Sequence, residues 1–187
     1  MKLETYIENI NNQNNINEAF KINKDTVMKK EFCPKTKAEL IKIIKEKLEN
    51  DKNADLTGID TSNITDMSYL FSNLAPEEID ISTWDVSNVT NMEFMFAWCF
   101  KLKCEISYWN VENVENMNSM FYFCKEFNSN LSSWDISSVK NMHEMFKGCK
   151  NLNQNFSSWE IDKNKCNTYE MFLYTKVKRE KLPEALR

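Results

Sequence analysis

At 187 residues, 42% hydrophobic and 12% aromatic, the chain has the apolar content of one folded domain rather than of a disordered polymer. Its net charge of -4 conceals an imbalance: residues 54–172 carry 17 Asp and Glu against 8 Lys and Arg, about -9, while the flanks carry 11 against 16. So acidic a middle argues against nucleic acid as ligand, and no run of 18 apolar residues exists to span a membrane.

The chain starts MKLETYIENINNQNN, which lacks the basic, apolar and small-residue regions of a secretory signal, so a cytoplasmic location is expected. Leu3, Tyr6, Ile7 and Ile10 fall at helical spacing, with Ile16, Ala19 and Phe20 behind them, and predict one or two short helices within residues 1–32. Pro34 then precedes Thr36-Lys37-Ala38-Glu39, a capping-box pattern, and a helix follows whose apolar stripe is Leu40, Ile41, Ile44 and Leu48. Residues 1–53 are expected to form a helical N-terminal cap over the first of a series of repeats.

Those repeats occupy residues 54–172. Trp84, Trp109, Trp134 and Trp159 recur every 25 residues, and Met92, Met95, Phe96 and Cys99 each return on the same beat. A fixed period of this length signals stacked units that cannot bury their apolar faces singly. Within a unit, Ile81, Trp84, Val86 and Val89 suggest an extended segment and a corner, whereas Met92, Met95, Phe96 and Cys99, at i, i+3, i+4 and i+7, describe one side of a short helix. The expected fold is therefore α/β, a leucine-rich-repeat-like solenoid of about five 25-residue strand-corner-short-helix repeats with an α-helical N-terminal cap. With two glycines and three prolines in the chain, Asn, Ser, Thr and Asp must shape the corners. The fifth unit decays after Trp159, as a terminal repeat should. Residues 173–187 read as a basic C-terminal cap or tail that seals the last unit through Val177, Leu182 and Leu186.

Cys99, Cys124 and Cys149 occupy equivalent places and are expected to be free, buried thiols rather than disulfides. With no C-x-x-C pair and one histidine, no zinc site or other metal or cofactor is expected.

The stretch Trp84-Asp85-Val86-Ser87-Asn88-Val89-Thr90-Asn91-Met92-Glu93-Phe94-Met95-Phe96-Ala97-Trp98-Cys99 resembles the repeat of the BspA-like leucine-rich-repeat surface proteins of bacteria, Trp-Asp-x-Ser-x-Val-Thr-x-Met-x-x-Met-Phe-x-x-Cys, and the pattern returns at Trp134 to Cys149. The resemblance covers about residues 54–172. It implies an α/β solenoid that binds other proteins or host surfaces, with no enzymatic activity and no catalytic residues. The chain departs from that family in showing neither an export signal nor a lipobox cysteine near its start, which favours a compact intracellular binding module over an adhesin exported by a route the sequence does not show.

Asp60, Asp85, Asn110, Asp135 and Glu160 form a ladder beside the tryptophans. Asp85 and Asp135 could act as paired catalytic carboxylates, or Asp60 and Asp85 as a cation site; the alternative, favoured here because every rung is alike, is that each bonds the backbone of its own corner. His143 has no neighbouring nucleophile and no second histidine, and is expected at the surface. What breaks the period is more informative. Tyr69 and Phe94 stand where later copies have Ser119 and Glu144; Trp98 and Phe123 stand where others have Asn73 and Gly148; Tyr122 is equivalent to Lys147, and Tyr108 adds a ring on the strand side. Aromatics that packing does not demand mark either a protein interface or a surface that the N-terminal cap covers. The expected function is a non-enzymatic module that binds a partner protein through Tyr69, Phe94, Trp98, Tyr108, Tyr122 and Phe123. Other classes are an inhibitor whose acidic ladders imitate nucleic acid, and a carbohydrate hydrolase using the ladder carboxylates.

Overall fold

The computed structural model describes residues 30–187 other than Asn73. The helices expected from Leu3 to Phe20 lie outside the described residues. Helix α1, Lys37–Asn50, begins where the capping box places it: the Glu39 amide donates to Thr36 Oγ1 at 3.2 Å, and the Glu39 carboxylate accepts from the Lys35 amide at 2.8 Å. Leu40, Ile44 and Leu48 are wholly buried in the same core as the repeats, whereas Ile41 lies at its margin.

The α/β class expected for residues 54–172 is not what forms. Among the described residues α1 is the one α-helix, two 3-10 turns follow at Arg179–Lys181 and Glu184–Leu186, and no strand or sheet is built. The repeats are turns and irregular backbone, so the strand-corner-short-helix solenoid is replaced by something looser in name but regular in bonding. Isolated parallel bridges join Asp66 to Asn91, Asn91 to Asn116, Asn116 to Asn141 and Asn141 to Asn167, so each copy lies alongside the next as one coil on another.

The error has a physical source in the segment Met92–Cys99. A helix would send each amide to the carbonyl four residues back. Here the donors alternate. The amides of Met92, Phe94, Phe96 and Trp98 reach across to the carbonyls of Asn116, Asn118, Met120 and Tyr122 at 2.7–2.9 Å, while those of Met95, Ala97 and Cys99 close local turns on Met92, Phe94 and Phe96. Such alternation requires left-handed backbone, and Phe94 (φ 51°) and Trp98 (φ 62°) supply it. A row of turns thus buries the same i, i+3, i+4, i+7 residues that a helix would.

Side chains complete the stack. Three turns closed by a side chain shape each coil: the oxygens of Asp80, Asp85 and Asn91 accept from the backbone of Ser82, Ser87 and Glu93 as Asx turns, and in the next coil Asn110 and Asn116 do the same while the longer Glu105 accepts from Ser107. The Trp84, Trp109, Trp134 and Trp159 indoles are buried, each donating to a carbonyl of the preceding coil (Leu56, Ile81, Ile106, Leu131) at 3.0–3.3 Å. Trp84 and Trp109 lie parallel with ring centroids 6.5 Å apart. Phe71, Phe96, Phe121 and Phe146 form a second column at 5.1–5.6 Å, each fully buried. Burying one such ring is worth about 1.5–3 kcal/mol before chain entropy is subtracted. At the far end the Phe156 amide donates to the Lys181 carbonyl, and Val177 and Leu186 lie partly buried against the core.

Candidate functional site: an aromatic ribbon

The left-handed positions recur with the coils and form two columns on one face. One runs Tyr69, Phe94, Ser119, Glu144, Glu170; the other runs Trp98, Phe123, Gly148, Tyr174. A non-glycine residue in this conformation costs about 1–2 kcal/mol. Ser119, Glu144 and Gly148 show that the backbone demands no ring there, yet the first coils place four large aromatics at these sites.

Those rings touch in an unbroken chain. Tyr69 stacks on Phe94 at 5.1 Å, Phe94 on Trp98 at 5.8 Å, Trp98 meets Tyr122 edge to face at 5.6 Å, and Tyr122 meets Phe123 in the same way at 4.7 Å. Each pair contributes about 0.5–1.5 kcal/mol. Four pairs about balance four left-handed aromatics, so the ribbon adds little to net stability. Phe123 in turn lies over Gly148, where a Cβ would come within 3.0 Å of the ring. Helix α1 leaves the ribbon open: Tyr69 is 49% and Trp98 43% exposed.

Five of the six aromatics singled out in the sequence are therefore brought together. Tyr108 is not among them; it stands at 91% exposure with no ring partner among the described residues. Period-breaking alone could not tell it from the rest, since it falls in a turn on another side of the coil. The structure adds Lys147 and Tyr169, which the sequence did not flag, and places His143, expected at the surface, half-buried beside them. Lys147 lies over the Tyr122 ring at 5.9 Å and bridges Glu144 and Glu170; hydrogen bonds from these two carboxylates hold its pKa well above the usual lysine range. His143 Nδ1 lies 3.2 Å from Asn118 Oδ1, which accepts from it in the Nδ1–H tautomer, and the ring stacks on Tyr169 at 5.6 Å; the Asn118 amide nitrogen in turn donates to Glu93. Burial, with the nearby Glu93 charge, raises the Tyr69 phenol. The signal for His143 and Tyr169 was their shared place in the period, visible once the last coil is shifted by its one extra residue.

The acidic ladder takes up its structural role. Four of its five members, Asp60, Asp85, Asn110 and Asp135, each accept from the amide two residues ahead, at 2.9–3.1 Å, whereas in the last coil Asp162 rather than Glu160 does so, accepting from the Asn164 amide. Hydrogen bonds from Ser62 and Ser137 depress the Asp60 and Asp135 carboxyls. No cluster of His, Cys, Asp and Glu able to hold a metal occurs among the described residues. The cysteines of the repeat are buried free thiols whose Sγ atoms sit 2.9–3.4 Å from carbonyls of the preceding coil, and burial pushes Cys99 up to about 12. No described helix is long and apolar enough to cross a membrane.

The sequence matches one family over residues 36–159 and again over 72–184, in overlapping passes that reflect its internal period. No curated protein and no solved structure matches it. The coarser part of the resemblance drawn from the repeat, a bacterial repeat family, is what this match carries. The chain belongs to the family described as "Mycoplasma protein of unknown function, DUF285".

Proposed function

We propose that the chain is a non-enzymatic binding module that recognises a partner protein through Tyr69, Phe94, Trp98, Tyr122 and Phe123. One observation carries the reading: five rings lie in contact, and four of them, Tyr69, Phe94, Trp98 and Phe123, occupy left-handed positions that other coils fill with Ser, Glu and Gly. Partly exposed aromatics with a polar rim, here Glu93, Glu144 and Lys147, are the composition that protein interfaces favour. Commitment of the Asp60, Asp85 and Asp135 carboxylates to their own turns supports a role without catalysis. The finer resemblance of the repeat to BspA-like surface proteins supports the same role.

The test is retention of native proteins on the immobilised full chain, compared with a Phe94→Gly, Trp98→Gly variant. A partner held by the wild type, lost by the variant and insensitive to salt supports the ribbon. A partner that both forms hold and that salt releases steeply would instead identify the acidic surface as the binding element, as nucleic-acid mimicry requires.

A further inference from the structure

Past the corner at Trp98 and Phe100, one side of the molecule is built of six rows: residues 50–56, 75–81, 100–106, 125–131, 150–156 and, from the C-terminal tail, 176–182. Backbone amides join each row to its neighbour, those of Asp80, Lys103, Glu126 and Asn151 donating to Ala54, Glu77, Phe100 and Lys125, and that of Phe156 to Lys181. Charge is graded along the rows. The first two hold Asp51, Asp55, Glu77, Glu78 and Asp80 against Lys52, net -4. The middle two hold three lysines against Glu105 and Glu126, and the last two hold Lys150, Lys176, Lys178, Arg179 and Lys181 against Glu180, net +4. A groove of about 930 Å³ runs from the first row to the fourth, lined by Asp55, Glu78, Asp80, Glu105 and Glu126, with Lys103 its one cation among the described residues. At the opposite end Lys178 and Arg179 stand exposed where the 3-10 turn Arg179–Lys181 begins.

We infer that this face joins two copies of the chain in an antiparallel two-fold dimer, each copy's Lys178 and Arg179 meeting the other's acidic groove. The contact goes beyond the ribbon, whose five rings lie outside these rows. Opposite charges of equal size at the two ends of one surface are what a surface needs to meet itself. With one copy turned over about a line between the third and fourth rows, the first two rows of each copy face the last two of the other, and the same contact is made twice. A parallel pair would set -4 on -4. The chain cannot fill its own groove with this tail: the Phe156 amide holds Lys181 at the fifth row, Pro183 is buried beyond it, and Asp80 lies four rises of about 4.8 Å away, roughly 19 Å. Residues 1–29 carry four lysines and four carboxylates, so they bring no net charge to either end. Exposed ion pairs are individually weak, so the contact depends on their number and loosens with salt.

Sedimentation velocity of the full chain over a range of concentration, at low and at high salt, tests this. The expected result is a mass that doubles as concentration rises and goes no further, with a dissociation constant raised about tenfold or more by high salt, by Glu77→Lys with Glu78→Lys, or by Lys178→Glu with Arg179→Glu. Mixing the two charge-reversed variants restores a 1:1 dimer, because each then presents the charge that the other has lost, and Phe94→Gly with Trp98→Gly dimerises as the wild type does. A wild type that stays monomeric throughout, a dimer that salt or either reversal leaves intact, or a mixture that does not recover would each overturn the inference. Loss of the dimer in the ribbon variant would overturn it by moving the contact to the ribbon, and growth past two copies would overturn the two-fold arrangement in favour of head-to-tail contacts.

Discussion

Replacing Phe94 by glycine and, separately, by alanine tests the turn geometry and the ribbon together. Both variants lose the contacts to Tyr69 and Trp98, which together are worth about 1–3 kcal/mol. They differ in the backbone. At φ 51° alanine keeps the left-handed penalty of about 1–2 kcal/mol, whereas glycine is free of it. Glycine returns about 0.4–1 kcal/mol through the greater freedom of its unfolded chain. The balance leaves Phe94→Gly more stable than Phe94→Ala by about 0.5–1 kcal/mol. In the helix that the spacing of Met92, Met95, Phe96 and Cys99 suggests, the order is reversed by about 1 kcal/mol. Urea unfolding followed by the fluorescence of the buried tryptophans measures the difference. An alanine variant equal to or more stable than the glycine variant refutes the left-handed turn and the argument that the rings are there for binding.

The two glycines are expected to respond in opposite senses to alanine. Gly148→Ala meets both a φ of 78° and the Phe123 ring 3.0 Å from the new Cβ, and loses about 1 kcal/mol or more, whereas Gly58→Ala meets only the Glu31 side chain at 3.7 Å and gains about 0.4–1 kcal/mol; melting temperatures of the pair check this. Acid should destabilise the fold through its corners. Hydrogen bonds hold Asp55, Asp60, Asp135 and Glu105 below their ordinary pKa, so in the acid range the folded state binds fewer protons than the unfolded, and stability present above about pH 4–5 falls as pH drops through the folded values. Urea midpoints should thus decline below that range, and a flat profile down to pH 3 would contradict the Asx assignment. Native thiol titration should modify exposed Cys33 quickly and leave Cys99, Cys124 and Cys149 unmodified until unfolding, because burial raises their pKa; rapid labelling of the three would show the stack to be open.

The tryptophan, phenylalanine and cysteine positions could be read from the period because each copy solves the same burial problem, and a residue that returns every 25 places faces its own image. The local conformation could not. Left-handed backbone is ordinarily advertised by Gly or Asn, but here Tyr69, Phe94, Ser119 and Glu144 adopt it, and only Gly148 gives the expected sign. With that cue hidden, i, i+3, i+4, i+7 spacing reads as a helix. Strands fared no better: Ile81, Val86 and Val89 are buried, but Asx turns bend the chain before two consecutive residues can pair as a strand. For the ribbon, departures from the period picked out the right residues, since packing did not explain them. They could not show which rings meet, because this depends on the two columns of one face.

The parallel bridges that join Asp66, Asn91, Asn116 and Asn141 set how this molecule can change length. Losing or gaining one whole repeat returns every asparagine, tryptophan and cysteine to an equivalent neighbour, so the ribbon is shortened or extended like a stack of identical trays. Removing half a repeat instead sets indole against asparagine along the entire height. The one extra residue before Asn167 shows what is tolerated: a single-residue slip, taken up at the last floor, where only one neighbour has to adjust.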